Sequence, residues 1–203
     1  METILNQIQQ TTLVEWLGTA TGLIGVYLSI KEKAAAWPMF IFCYGLYAYL
    51  SYAASLNAAL VLNACFIPIS VYGWWQWSKA AKGEQESDSG EGSLMIARMS
   101  SKEIRVSFCI VIFGTGVIGL ALSHFAGGAM PYLDAFATMC SFTGQWWLTR
   151  KRLENWLFWL AADFAFIYLW GAQGYWVSVL MFSVFIWLAT TGYLSWKKEL
   201  AKA

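Results

Sequence analysis

The sequence predicts an all-α integral membrane protein in which seven transmembrane helices form two parallel three-helix repeats joined by a linker helix. Three observations carry this expectation. Hydrophobic residues are 59% of the chain and charged residues only 12%, against roughly 45–50% and 25% in soluble domains. A soluble fold of this size would lack the charge to cover its surface. Apolar runs of about 20 residues, the length that crosses a hydrocarbon core, occur seven times. Finally, all 13 Lys and Arg residues fall at run ends or beyond them, on one side of a seven-span arrangement.

The runs lie at 12–30, 35–54, 57–78, 104–125, 132–149, 153–171 and 175–196. The segment before them, METILNQIQQTT, has no basic patch or small-residue cleavage site, so the first run is expected to act as its own uncleaved signal. Between the third and fourth runs lies a long connection, 79–103, whose AAKGEQESDSGEGS stretch has the Gly/Ser/acid composition of a flexible loop. Lys31 and Lys33 follow run one, Lys79 to Arg105 lie around the long connection, Arg150 to Arg152 follow run five, and Lys197, Lys198 and Lys202 follow run seven. The other connections have no basic residue. Because Lys and Arg near span ends are retained in the cytoplasm, the amino terminus is expected outside and the carboxyl terminus inside. A buried soluble bundle is the alternative, and successive apolar runs without a polar face argue against it. Cys43, Cys65, Cys109 and Cys140 all lie within apolar runs without metal-ligand spacing, and are read as inert buried thiols.

Shifting the chain on itself by 119 positions aligns the first three runs with the last three. Glu15 falls on Asp134, Gly25 on Gly144, Lys31 on Arg150, Trp37 on Trp156, Gly73 on Gly192, Trp77 on Trp196 and Lys79 on Lys198. Rare residues and charged turns match together, which apolar composition alone does not produce. The organisation is therefore a first repeat at 12–78, a cytoplasmic connection at 79–103, a linker helix at 104–125 and a second repeat at 131–196. Three helices can be repeated in the same orientation only with one extra crossing, and the linker supplies it. Parallel repeats about an axis along the membrane normal are an architecture of transporters that bind substrate between the halves. A duplicated scaffold without transport is the plainer alternative.

Ionisable groups inside a span default to a functional role. Asp163 lies midway along the sixth run. Trp156, Trp159 and Asp163 follow i, i+3, i+7 spacing and share one helical face. Two indoles beside a carboxylate suit a flat cationic or electron-poor ring, since cation–π attraction is worth about 2 kcal/mol or more when desolvated. A structural bond to a neighbouring helix is the plain alternative for Asp163. Gln145 and Asn63 could hydrogen-bond a sugar hydroxyl or carboxamide, or tie helices together. Tyr44 and Trp37 occupy the repeat positions of Asp163 and Trp156, and are expected to face the same cavity. Glu154, Asn155 and the span-interior Pro68 are candidate gate residues, with capping and a static kink as alternatives. Glu15 and Asp134 are expected to cap helix starts, and His124 to be solvated. No nucleophile–base, metal or phosphate-loop motif is present, so neither an enzyme nor a cofactor is implied. Without an ATP site, transport would be facilitated or ion-coupled, and the single midspan carboxylate favours facilitated diffusion.

The segments E-W-L-G-T-A-T-G-L-I-G-V-Y-L at 15–28, S-V-Y-G-W-W-Q-W at 70–77 and R-K-R-L-E-N-W-L-F-W at 150–159, followed by Asp163, resemble the PnuC family of bacterial vitamin transporters. The resemblance runs from about Glu15 to Lys198. It implies a fold similar to the SWEET sugar transporters but with full-length repeats. It also implies bacterial inner-membrane uptake of nicotinamide riboside down its gradient, trapping by a separate cytoplasmic kinase, and association into a homo-oligomer. The family's W-x-x-W-x-x-x-N site pattern maps onto Trp156 and Trp159, with Asp163 in place of the Asn expected of nicotinamide riboside carriers. Thiamine, also an aromatic cation, and riboflavin are carried by relatives and remain alternatives. The partners implied are a small-molecule vitamin and the lipid bilayer, with no nucleic acid. A membrane receptor that binds without translocating, and an intramembrane enzyme using Asp163, are readings of another class.

Overall fold

In hydrocarbon every backbone polar group must bond within the chain, so uninterrupted apolar runs resolve as helices. The computed structural model describes residues 2–53, 57–82, 94–125 and 129–202. Among them are eight helices: α1 (Glu2–Gln10), α2 (Leu13–Ile30), α3 (Ala36–Ala53), α4 (Asn57–Ala81), α5 (Ser101–Phe125), α6 (Pro131–Thr149), α7 (Asn155–Ala172) and α8 (Trp176–Leu200). Helices α2 to α8 overlie the seven apolar runs. By length and mean hydropathy, α2, α5 and α8 are sufficient to cross a membrane. The other four are diluted by interfacial and polar side chains, such as the four tyrosines of α3 and Asn155 and Asp163 of α7.

Helix α1 was not expected. It is short and amphipathic, and Gln7 pins it to the α7–α8 turn by donating to the Gly174 carbonyl (2.8 Å) and accepting from the Val177 N–H (3.2 Å). Thr12 then starts α2 with a capping box, exchanging bonds with Glu15 as expected of that acid. Asp134 differs. Helix α6 opens on Met130 and Pro131 without a side-chain cap, and Asp134 only supplies negative charge to its first turn. Cys43 and Cys140 are buried, whereas Cys65 and Cys109 lie on exposed faces, contrary to the expectation for all four. His124 is exposed.

Helices α2, α3 and α4 pack in succession, as do α6, α7 and α8, and the two groups meet along α4–α6 and α2–α8. Helix α5 runs along α6. A side chain at Gly114 or Gly119 would collide with Met139 or Tyr132 of α6, so those glycines set the close approach. The far side of α5 exposes Ile112, Phe113 and Val117, an apolar face with no protein cover among the described residues.

The sequence repeat reappears as paired contacts. Trp37 lies over Gly73 and meets Trp77 edge-on, with centroids 5.4 Å apart; Trp156 lies over Gly192 and meets Trp196 edge-on at 5.4 Å. The Trp77 indole N–H donates to the Thr149 carbonyl (3.1 Å), and Trp196 donates to Ile30 (3.2 Å). Thr149 and Ile30 are themselves 119 positions apart. Reciprocal contacts of this kind are those of a two-fold relation, here approximate and within one chain.

The expectation of a loop over 79–103 needs correction. Helix α4 extends to Ala81, and residues 94–100 form a fixed strap along the α6–α7 turn. Ala97 pairs with Arg152 in a parallel bridge, donating to the Lys151 carbonyl (3.1 Å) and accepting from the Leu153 N–H (2.8 Å). Most of the Gly/Ser/acid stretch, residues 83–93, lies outside the described residues.

Adding a Cβ at Gly192 would place it 2.7 Å from the Trp156 ring, and Gly73 is as tight against Trp37, whereas Gly45 has nothing within 4 Å. Gly73→Ala and Gly192→Ala should each cost about 1–3 kcal/mol by overpacking, lowering the melting temperature in detergent. Gly45→Ala is the control and should not lower it.

Candidate functional site

The residues predicted to hold a ligand divide into two groups. Trp37 and Trp156 are fully enclosed, at 0% and 1% exposure, by the glycines and tryptophans just described. Their ring faces are therefore committed to packing, contrary to the expectation that both line an open cavity. Both indole N–H groups lack a hydrogen-bond partner among the described residues. Tyr44 is also engaged: its ring stacks on Phe66 (4.7 Å), which stacks on Phe142 of α6 (4.5 Å). This aromatic column ties α3 and α4 to the second half.

One turn beyond Trp156, the picture changes. Trp159 is half-buried, its indole against Gly144 of α6. Asp163, 4% exposed, has no hydrogen bond or ion pair among the described residues. A structural bond to a neighbouring helix, the plain alternative from sequence, is not what holds it. Burying a carboxylate without a partner costs several kcal/mol, which makes Asp163 the candidate position for a compensating charge. Gln145, fully buried on α6, donates to Ser70 Oγ of α4 (3.2 Å) and leaves its own Oε1 open. Asn63 donates to the Ala59 carbonyl of its own helix (2.8 Å). By i, i+3, i+7 spacing it shares a face with Phe66 and Ser70.

The candidate gate residues have fixed structural duties in this conformation. Glu154 precedes α7 without capping it, and instead accepts from the Met99 N–H of the strap (2.8 Å). Asn155 is fully buried and donates to the Arg152 carbonyl (2.6 Å), with Oδ1 unpaired. Helix α4 continues through the exposed Pro68 as one element.

The repeat separates matched packing positions from unmatched polar ones. Positions that pack the two halves keep their residue type: Trp37 and Trp156, Gly73 and Gly192, Trp77 and Trp196. The polar positions do not. Gln145 replaces Val26 of the first half, Trp159 replaces Phe40 and Asp163 replaces Tyr44, while Ser70 becomes Ala189 in the second. The departures gather on the α4, α6 and α7 side. Ser70 was missed in the sequence because a lone serine in an apolar helix ordinarily bonds its own backbone. It does so here through the Phe66 carbonyl (2.8 Å) while also accepting from Gln145. Its place four residues beyond Phe66 on the Asn63 face was the available signal.

The family model described as nicotinamide mononucleotide transporter matches residues 12–198. The nicotinamide riboside transporter PnuC of Neisseria mucosa is 23% identical over 199 residues, spanning 90% of this chain and 72% of the relative. The riboflavin/roseoflavin transporter RibM of Streptomyces davaonensis is 23% identical over 183 residues, spanning 90% and 83%. A crystal structure of the vitamin B3 transporter PnuC superimposes with a TM-score of 0.73 at 21% identity, covering 98% of this chain and 87% of that one. That likeness establishes the same helical fold, and the match of the family model over nearly the whole chain establishes kinship. The chain belongs to the nicotinamide mononucleotide transporter family, and is a membrane protein of that family.

Proposed function

We propose that this chain is a bacterial inner-membrane transporter that takes up nicotinamide riboside by facilitated diffusion, through a site beside Trp159, Asp163 and Gln145. The observation that carries the reading is Asp163, a buried carboxylate without a protein partner, one turn from a half-open indole. Nicotinamide riboside has a flat, permanently positive ring and a neutral ribose. The ring can stack on Trp159 with Asp163 as counter-charge, and Gln145 Oε1 can accept a hydroxyl or carboxamide hydrogen.

The same chemistry argues against the phosphorylated nucleotide that the family description names. Apart from Arg105 at the very start of the fourth, no Lys or Arg lies within a run, so a phosphate dianion would enter a site holding a carboxylate and no cation. Thiamine is not favoured, since the matched family and relatives are named for nicotinamide compounds and riboflavin. Riboflavin is the second reading, prompted by the streptomycete relative; its neutral ring would leave Asp163 uncompensated. The named relatives are transporters, and the proposed role requires no chemistry at Asp163.

The architecture belongs to the same proposal. Helices α2–α4 and α6–α8 are two parallel three-span repeats, α5 is the linker crossing, and α1 lies at the outer surface. The amino terminus is outside and the basic turns are cytoplasmic. The reciprocal tryptophan bonds and the one-sided basic residues support this arrangement. Phosphorylation by a separate cytoplasmic kinase would make uptake one-way, and association of copies is part of the same reading.

In proteoliposomes the purified protein should equilibrate nicotinamide riboside without concentrating it. Accumulation driven by a proton or sodium gradient alone would end the facilitated reading. Trp159→Ala should weaken nicotinamide riboside binding about 30-fold, the equivalent of ~2 kcal/mol of cation–π contact, measured by calorimetry. Asp163→Asn should weaken it more than it weakens riboflavin, and equal losses would remove the counter-ion role. Reporter fusions at the carboxyl end and after Phe125 should report cytoplasm and exterior respectively.

A further inference from the structure

The α2–α3 and α6–α7 turns contain the two residues other than glycine with positive φ among those described: Glu32 at 54° and Lys151 at 51°. This left-handed conformation costs a side-chain-bearing residue roughly 1–2 kcal/mol. The two residues are 119 positions apart, so the same strained turn occurs in both halves. They also face each other: Lys151 Nζ lies 2.9 Å from Glu32 Oε2. Equivalent positions that touch lie on the approximate two-fold axis. An identical pair there would set like charges together, and only unequal halves permit an ion pair.

Beneath the pair the molecule is closed by Ile30, Leu148, Trp77 and Trp196, all buried, and Lys151 Nζ also sits 4.9 Å from the Trp77 ring centroid. The two turns are held unequally. The Lys151 turn is bridged to the strap at Ala97, Arg152 pairs with Glu103 of α5 (3.1 Å), and Glu154 takes the Met99 N–H. The Glu32 turn makes its own backbone bonds to Ser29 and Leu28, and among the described residues it reaches the other half through Lys151 and the Trp196–Ile30 bond. A cleft of about 450 Å³, lined in part by Glu32, Ile96, Lys151 and Leu200, adjoins the pair.

We propose that Glu32 and Lys151 form the latch of the cytoplasmic exit, an ion pair on the pseudo-two-fold axis that parts when the Glu32 turn swings away from the strapped Lys151 turn. The inference rests on the transport reading and its orientation, and deepens it by naming positioning residues remote from the ligand.

The test uses full-length protein with its four cysteines replaced and one reporter, Leu148→Cys, which is 1% exposed as leucine beneath the pair. Labelling by a membrane-impermeant maleimide is followed from each face of oriented vesicles, without substrate. Glu32→Asn keeps a residue that tolerates positive φ and removes the charge. It should speed labelling from the cytoplasmic face about two- to fivefold, the range of a partly exposed ion pair. Glu32→Lys should do the same, and the swap Glu32→Lys with Lys151→Glu should restore the slow rate. Unchanged labelling in Glu32→Asn, a swap as fast as Glu32→Lys, or faster labelling only from the opposite face would each overturn the latch. A thiol cross-link between Glu32→Cys and Lys151→Cys should block nicotinamide riboside exchange, and reduction should restore it; undiminished exchange when cross-linked would also overturn it. Because labelling needs no substrate, the latch can fail while transport stands, and a wrong substrate leaves the labelling result intact.

Discussion

The structure depends on two indole N–H groups, each capping the end of a helix in the other half of the molecule. Ile30 and Thr149 are the last residues of α2 and α6, where a helix leaves carbonyls without intrahelical partners. At the buried centre of the bundle no water reaches them easily, so each needs a donor. Trp196 and Trp77 supply it, from α8 to α2 and from α4 to α6. Each tryptophan is in turn held edge-on by another, Trp156 or Trp37, which fits only because Gly192 or Gly73 has no side chain. The chain thus joins its halves through the one polar group a tryptophan has, while the ring fills the core.

This also explains how much was legible in the sequence. Helices α2 to α8 were, because each overlies a long apolar run bounded by a charged or polar turn. The reciprocal packing was foreshadowed by the 119-residue repeat, since Trp and Gly matched at rare positions. Helix α1 was not, because nine residues with a few apolar members look like any polar terminus until Gln7 finds the α7–α8 turn. The strap was hidden for a similar reason: backbone pairing at Ala97 leaves no trace in side-chain pattern. The enclosure of Trp156 was not legible, because helical spacing places residues on a face but does not say what covers it. Trp196 and Gly192 cover it, and both are distant in sequence.

Duplication gives a physical criterion for separating scaffold from site. Contacts on an approximate two-fold must be made twice, so a change at one copy unbalances the other, and the packing residues stay matched. A ligand without two-fold symmetry has no such requirement. Its contacts need no counterpart in the other half, so they should appear as mismatches. Gln145 against Val26 and Asp163 against Tyr44 are mismatches in polarity, the kind that costs most in an apolar bundle. Glu32 against Lys151 is a mismatch of another kind, one that the axis itself rewards because the two copies touch.

An unpaired carboxylate at Asp163 fits a carrier better than it fits a tight receptor. A facilitative transporter must bind on one side and release on the other, so its empty and occupied states must lie close in free energy. Pairing a buried carboxylate with a cationic ring gains Coulomb and cation–π energy, but stripping water from both charges takes most of it back. The remainder is modest affinity with strong discrimination: a neutral ring pays the desolvation without the charge pairing, and an anion is repelled. On the proposed function, selectivity and release would then come from the same residue. A second fixed cation beside Asp163 would satisfy the carboxylate permanently and remove both, which is the physical reason to keep Lys and Arg at the ends of the spans.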